Sequence, residues 1–114
     1  MTDKIQCQII TWECIYKRLR QLSGHIHASG YQIDLIVAIG RGGYIPGRIL
    51  SDMLGIKDLT SFKIEHYLDI QTTKAAMVKY PLTADVENKN ILLVDDVTDT
   101  GDTFDVALEH IRKC

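Results

Sequence analysis

Residues Ile91–Thr103 read ILLVDDVTDTGDT. Four apolar residues of the buried-strand type run straight into two adjacent carboxylates, Asp95 and Asp96. Burying an unpaired charge is costly, so the pair belongs where a strand surfaces and where something offsets two negative charges. Open parallel sheets provide such a place, because ligands bind beyond the carboxyl ends of their strands, near the point where strand order reverses. Directly after the pair, TDTGDT supplies small hydroxyl side chains, a glycine and the start of a helix. Backbone N–H groups and the helix dipole can therefore converge on an anion. An anion cradle joined to two acids suits a ligand with a phosphate at one end and hydroxyls or a metal ion beside it. Ribose 5-phosphate chemistry with Mg²⁺ meets that description, since Mg²⁺ is commonly held by one or two carboxylates together with substrate phosphates and water.

Working outward, the rest of the chain fits such a sheet. Thr11 followed by Trp12, Ile15, Tyr16, Leu19, Leu22 and Ile26 places apolar residues at helical spacing behind an N-cap, and Gly30 ends that helix. IDLIVAI, Ile33–Ile39, is almost continuously apolar and rich in branched residues, as expected of a strand covered on both faces. GRGG turns the chain into a helix with Pro46 near its start, where a missing amide is tolerated, and Gly55 at its end. LTSFKIEHYL, Leu59–Leu68, alternates at Phe62, Ile64 and His66 and is expected to pair in parallel with the first strand. Between Tyr67 and Asn90 regularity is lost, and a long mobile loop, with room for a short hairpin in it, is expected. NILLVDD returns to a buried strand, and Phe104, Ala107, Leu108 and Ile111 give a last helix its apolar face. The expected architecture is α/β, a mostly parallel sheet of about three strands flanked by helices. The chain stops at Cys114, directly after that helix, so a missing carboxyl-terminal segment is expected.

Composition excludes several functions. With 114 residues the chain is long enough for one core, and a single domain spanning residues 1–114 is expected. A net charge of −2, with Lys and Arg scattered, offers neither a nucleic-acid footprint nor a membrane-surface stripe. No apolar run approaches the roughly 18 residues that span a bilayer, and the start lacks a basic segment leading into an apolar core. A cytoplasmic location is expected, with Cys7, Cys14 and Cys114 reduced, since they form neither a CxxC pair nor a zinc-ligand set. His25, His27, His66 and His110 have no Ser-His-Asp or Cys-His partner arrangement and read as surface or partly packed residues.

ILLVDDVTDTGDT resembles the phosphoribosyl pyrophosphate (PRPP) signature of the type I phosphoribosyltransferases, in which a strand runs into two acids, two further residues and Asp-Thr-Gly-x-Thr. ITWECIYKRLRQL and VAIGRGGYIPGRILSDMLGI stand upstream in the order and spacing of the short bacterial and archaeal xanthine/guanine and hypoxanthine enzymes. The resemblance spans about Ile10 to Ile111. It implies a type I phosphoribosyltransferase fold and transfer of ribose 5-phosphate from PRPP to a purine, with release of pyrophosphate, for nucleotide salvage. By the same resemblance, Asp95 and Asp96 contact the ribose hydroxyls and hold Mg²⁺, and Thr98, Asp99, Thr100, Gly101, Asp102 and Thr103 wrap the 5′-phosphate. Asp99 matches the family's acid facing purine N7, a general base or proton shuttle. Arg41 and Gly42 match the pyrophosphate loop, where the family often has a cis non-proline peptide. The stretch from about Tyr67 to Lys79 matches the loop that closes over PRPP, and no role falls to Thr72, Thr73 or Lys74. Homo-oligomers, dimers or tetramers, are common among such relatives.

Two departures qualify the resemblance. Asp102 stands where related sequences more often have glycine or a basic residue, and its carboxylate is expected to turn from the phosphate and cap the last helix. The lysine and aromatic residue with which the family reads its purine follow the last helix and are not in this sequence, so the base is left open. A PRPP-binding regulator and a pyrimidine or orotate phosphoribosyltransferase share the signature and are the alternatives. A response-regulator receiver also follows a buried strand with paired acids, but it needs a phosphoacceptor Asp on a later strand, for which no room remains.

Overall fold

The computed structural model describes residues 5–68, 74–98 and 101–114. In chain order the elements are α1 (Trp12–Ser29), β1 (Leu35–Gly40), α2 (Tyr44–Leu54), β2 (Leu59–Leu68), β3 (Lys74–Tyr80), β4 (Ile91–Val94) and α3 (Asp102–Arg112). They form one four-stranded sheet in the order β3-β2-β1-β4. β1 pairs in parallel with both β2 and β4, whereas β3 runs antiparallel to β2 along the far edge. The order thus reverses at β1, whose next strand in the chain lies on one side and β4 on the other.

The apolar run of β1 follows from its central place. All six of its residues are buried, and alternation divides them between two cores. Leu35, Val37 and Ile39 face Phe62, Ile64, Leu82, Val86 and Ala107, with Phe104, Val106 and Ile111 of α3 packed against that cluster. Ile36, fully buried, faces the other way onto Leu19 of α1, Leu50 of α2 and Val94. Gly47 lets α2 lie close on this face, since a β-carbon there would stand 3.2 Å from the Ala38 β-carbon. Burying one Leu or Ile side chain contributes about 1.5–3 kcal/mol, so these two layers hold both helical faces to the sheet.

The helix boundaries are local. Thr11 Oγ1 accepts from the Cys14 amide at 3.1 Å, and Gly30 ends α1 in the left-handed region at φ 75°. Gly55 ends α2 in the same way at φ 69°. The buried Ser51 hydroxyl is satisfied by the Ile56 carbonyl. At the amino ends of β1 and β4, Asp34 Oδ2 accepts from the Asn90 amide at 2.8 Å and Asn90 Nδ2 donates to the Gln32 carbonyl at 2.8 Å. These bonds fix the register of the two strands whose other ends carry the candidate site.

Some expectations need correction. The segment read as a long loop contributes a fourth strand, β3, so β2 and β3 form a hairpin, and only residues 69–73 of the expected closing loop lie outside the described residues. Ala76 and Val78 pack on the core while Met77, Lys79 and Tyr80 are exposed. That alternation is muted by short side chains. On α1, Trp12, Tyr16 and Leu22 are exposed rather than packed, with Arg20 lying 5.1 Å over the Tyr16 ring. On α3, Leu108 is exposed and Val106 takes the inward position instead. Cys7, Cys14 and Cys114 are free thiols. Among the described residues no helix is long and apolar enough to cross a membrane.

Candidate functional site

The last paired position of β1 and β4 is Ala38 with Val94. Beyond it β4 leaves the sheet as Asp95-Asp96, and β1, still paired with β2 as far as Gly40, leaves as Arg41-Gly42-Gly43. This is the carboxyl edge of the sheet at the point where strand order reverses, the position at which open α/β sheets bind ligands. The Gly40–Arg41 peptide is cis. Gly43 N–H donates to Ile39 O at 2.8 Å and Tyr44 N–H to Arg41 O at 3.1 Å, closing the turn into α2. Among the described residues, neither the Arg41 nor the Gly42 amide donates to a protein acceptor, and the exposed Arg41 guanidinium makes no ion pair. A cationic side chain and backbone donors are therefore left for an anion.

The two carboxylates lie against this turn. A β-carbon on Gly42 would overlap the Asp96 carboxylate, so glycine at this position admits the acid. Asp95 Oδ1 accepts from the Asp96 amide at 2.8 Å, and Asp96 Oδ1 from the Val97 amide at 2.8 Å. Among the described residues no Lys or Arg pairs with either acid. Burial holds the Asp95 carboxyl above the ordinary carboxylate range. The Asp96 amide that donates to it pulls the other way, the Asp96 carboxyl raises it again by hydrogen bond and by charge, and the His66 imidazole lowers it. A half-buried acid beside a second acid, with no Lys or Arg paired to either among the described residues, is a fitting place for a divalent ion. Among the described residues no group of three or more metal-binding side chains exists. Asp95 and Asp96 are the two carboxylates here that could hold Mg²⁺, an ion commonly bound by one or two carboxylates together with substrate phosphates and water.

This direction of shift has a measurable consequence. A group whose native pKa exceeds its unfolded value stabilises the fold while protonated, and that contribution is lost as pH rises through the native pKa. Ionised Asp95 thus lowers stability at neutral pH relative to a neutral isostere. Asp95→Asn is expected to melt at or above the wild-type temperature at neutral pH, and the gap to close under acid conditions where Asp95 is protonated in both states. Thermal melts across that range check it; a wild type more stable than the variant at neutral pH would contradict it.

The turn expected to take a phosphate is described in part. Asp99 and Thr100 lie outside the described residues. Thr98 is exposed. Gly101 precedes α3 in the left-handed region at φ 84° and caps it with no side-chain hydrogen bond. Asp102, expected as the cap, is the first residue of the helix instead, and with Asp105 it places negative charge in the first turn, where the dipole favours it. Thr103 follows in that turn, and its Oγ1 lies 3.1 Å from His66 Nε2.

Two histidines that the sequence leaves without partners have them. His66 is exposed, as expected, but its ring reaches Thr103. His110 accepts from the Leu82 amide at 2.9 Å and its ring lies 5.0 Å from that of Phe62, tying the segment after β3 to α3. An open groove of about 800 Å³ extends from Asp95, Asp96 and Arg41 along Ile45 to Arg18 and Trp12 of α1. No spacing pattern announced that groove.

Comparisons with known proteins bear on the family and the fold. The chain matches the family described as the phosphoribosyl transferase domain over residues 6–114. It is 28% identical over 104 residues to the xanthine-guanine phosphoribosyltransferase of Idiomarina loihiensis, covering 91% of this chain and 64% of that protein. A Neisseria gonorrhoeae hypothetical protein solved with bound ppGpp superposes with a TM-score of 0.84 at 29% identity, over 91% of this chain and 62% of that one. The purine phosphoribosyltransferase of Pyrococcus horikoshii does so with a TM-score of 0.78 at 28% identity, over 91% and 67%. The chain thus spans just under two thirds of the length of the curated relative it matches.

Proposed function

Because the chain belongs to the phosphoribosyl transferase domain family, we propose that it binds PRPP and takes part in transfer of its ribose 5-phosphate to a purine base, as the names of its Idiomarina loihiensis and Pyrococcus horikoshii relatives suggest. The observation that carries this reading is the meeting of Asp95 and Asp96, paired with no internal Lys or Arg among the described residues, with the Arg41-Gly42 turn at the switch point of the sheet. The acids face the ribose hydroxyls, the Arg41-Gly42 turn faces pyrophosphate, and the turn from Thr98 to Thr103 clasps the 5′-phosphate.

In the reaction, the bond from the anomeric carbon to the pyrophosphate oxygen breaks and a bond to a purine nitrogen forms. Pyrophosphate leaves with the bonding electrons, and the purine gives up a proton. Positive charge builds on the sugar, and fixed carboxylates nearby stabilise it. By its match to the family's signature, Asp99 would take or hand on the proton at purine N7. Mg²⁺, held by Asp95 and Asp96, would neutralise charge on the leaving pyrophosphate.

The test is pyrophosphate release from PRPP and Mg²⁺ in the presence of hypoxanthine, guanine or xanthine. Release that depends on one of these bases is expected, and Asp99→Asn is expected to slow it by about 10²-fold or more while PRPP affinity changes far less. A protein that neither binds nor consumes PRPP would end this reading, and matched losses of binding and rate would make Asp99 a structural residue.

A further inference from the structure

β2 outruns β1. Its last pair with β1 is Gly40 with Lys63, and Ile64–Leu68 continue beyond, held by β3 alone. His66 is carried out on this projection, opposite Ala76, to the side of the sheet edge where α3 begins. There Nε2 lies 3.1 Å from Thr103 Oγ1, and the imidazole is also close enough to Asp95 to lower its proton affinity. The ring therefore touches the Thr103 hydroxyl and lies within electrostatic reach of Asp95.

A threonine hydroxyl has one hydrogen to give and two lone pairs. If a neighbouring N–H occupies a lone pair, the hydrogen remains for an anion. If instead the hydroxyl donates to a bare ring nitrogen, it turns lone pairs toward the anion and repels it. We propose that His66 is a positioning residue of the phosphate clasp: its Nε2–H fills a lone pair of Thr103 Oγ1 and aims the hydroxyl hydrogen at the ribose 5-phosphate. This rests on the reading that the turn from Thr98 to Thr103 takes that phosphate. It adds a device reaching the clasp from a strand that lies two places away from β4 in the sheet.

The experiment is calorimetric titration with ribose 5-phosphate and, separately, with pyrophosphate and Mg²⁺, on the wild type and on His66→Ala, His66→Gln, Thr103→Val and the His66→Ala/Thr103→Val double variant. His66→Ala is expected to weaken ribose 5-phosphate binding roughly 5- to 10-fold, the size of one lost hydrogen bond, and to leave pyrophosphate binding unchanged. His66→Gln, whose amide N–H can still donate, recovers most of the affinity. Once Thr103 is Val, removing His66 costs nothing further. Equal ribose 5-phosphate binding by wild type and His66→Ala overturns the inference, as does an undiminished loss in the Thr103→Val background or an equal loss for pyrophosphate. A wild-type protein that binds pyrophosphate but not ribose 5-phosphate overturns the phosphate-turn reading itself, which is a separate result.

Discussion

Asp95→Asn/Asp96→Asn is expected to abolish Mg²⁺-dependent PRPP binding while the chain stays folded. Asn keeps the shape of each side chain and an oxygen for the Asp96 and Val97 amides that the acids now accept from. No Lys or Arg of the described residues loses a partner, because none pairs with either acid. What disappears is charge directed outward. Truncating one partner of a charge pair that a bound ligand desolvates costs about 2–5 kcal/mol, and in the proposed complex both carboxylates that would hold the ion are removed together. A fall in affinity of about 10³-fold or more follows. Calorimetric titration of PRPP with and without Mg²⁺ measures it. If both proteins bind PRPP equally, the acids do not hold the sugar or its ion, and the assignment of the sheet edge fails.

Legibility in the sequence followed how far each interaction reaches along the chain. β1 could be read because a strand buried on both faces must be apolar at every position, and all six of its residues are buried. Helix ends were equally plain, since Thr11, Gly30 and Gly55 act on their own neighbours. β3 was not legible. It is an edge strand whose inward residues, Ala76 and Val78, are small, and its outward Met77 and Tyr80 are apolar enough to blur the alternation. The acids and the glycine turn each announced themselves as contiguous segments. Their meeting did not, because the approach of Gly42 to Asp96 depends on the register of β1 against β4. His66 was further from view: Thr103 lies 37 positions away, and only the projection of β2 past β1 brings the two together. His110 and Leu82, 28 positions apart, are a similar case.

Two neighbouring glycines should separate the stability of the fold from the competence of the site. Gly43 has φ −78°, open to any L-residue, so space alone constrains it. A β-carbon there would stand 2.8 Å from Ile39 O and 2.9 Å from Ile39 N, and would also strike the Val94 carbonyl. All three are backbone atoms of the paired core strands β1 and β4, and none can yield without opening the sheet. Gly43→Ala is therefore expected to cost about 3 kcal/mol or more, a melting temperature lower by more than about 10 °C. At Gly42 the three atoms nearest the added carbon all belong to the Asp96 carboxylate, with Oδ1 2.6 Å away. Asp96 is exposed and its side chain can swing aside. Gly42→Ala should then change stability by less than about 1 kcal/mol, yet displace an acid from the ribose and its ion and weaken PRPP binding about 10-fold or more. Thermal melts and PRPP titrations on the two variants distinguish these effects. A Gly42→Ala protein that binds PRPP normally would mean that Asp96 need not occupy the position the turn leaves for it, and one that unfolds like Gly43→Ala would mean that the acid is part of the scaffold.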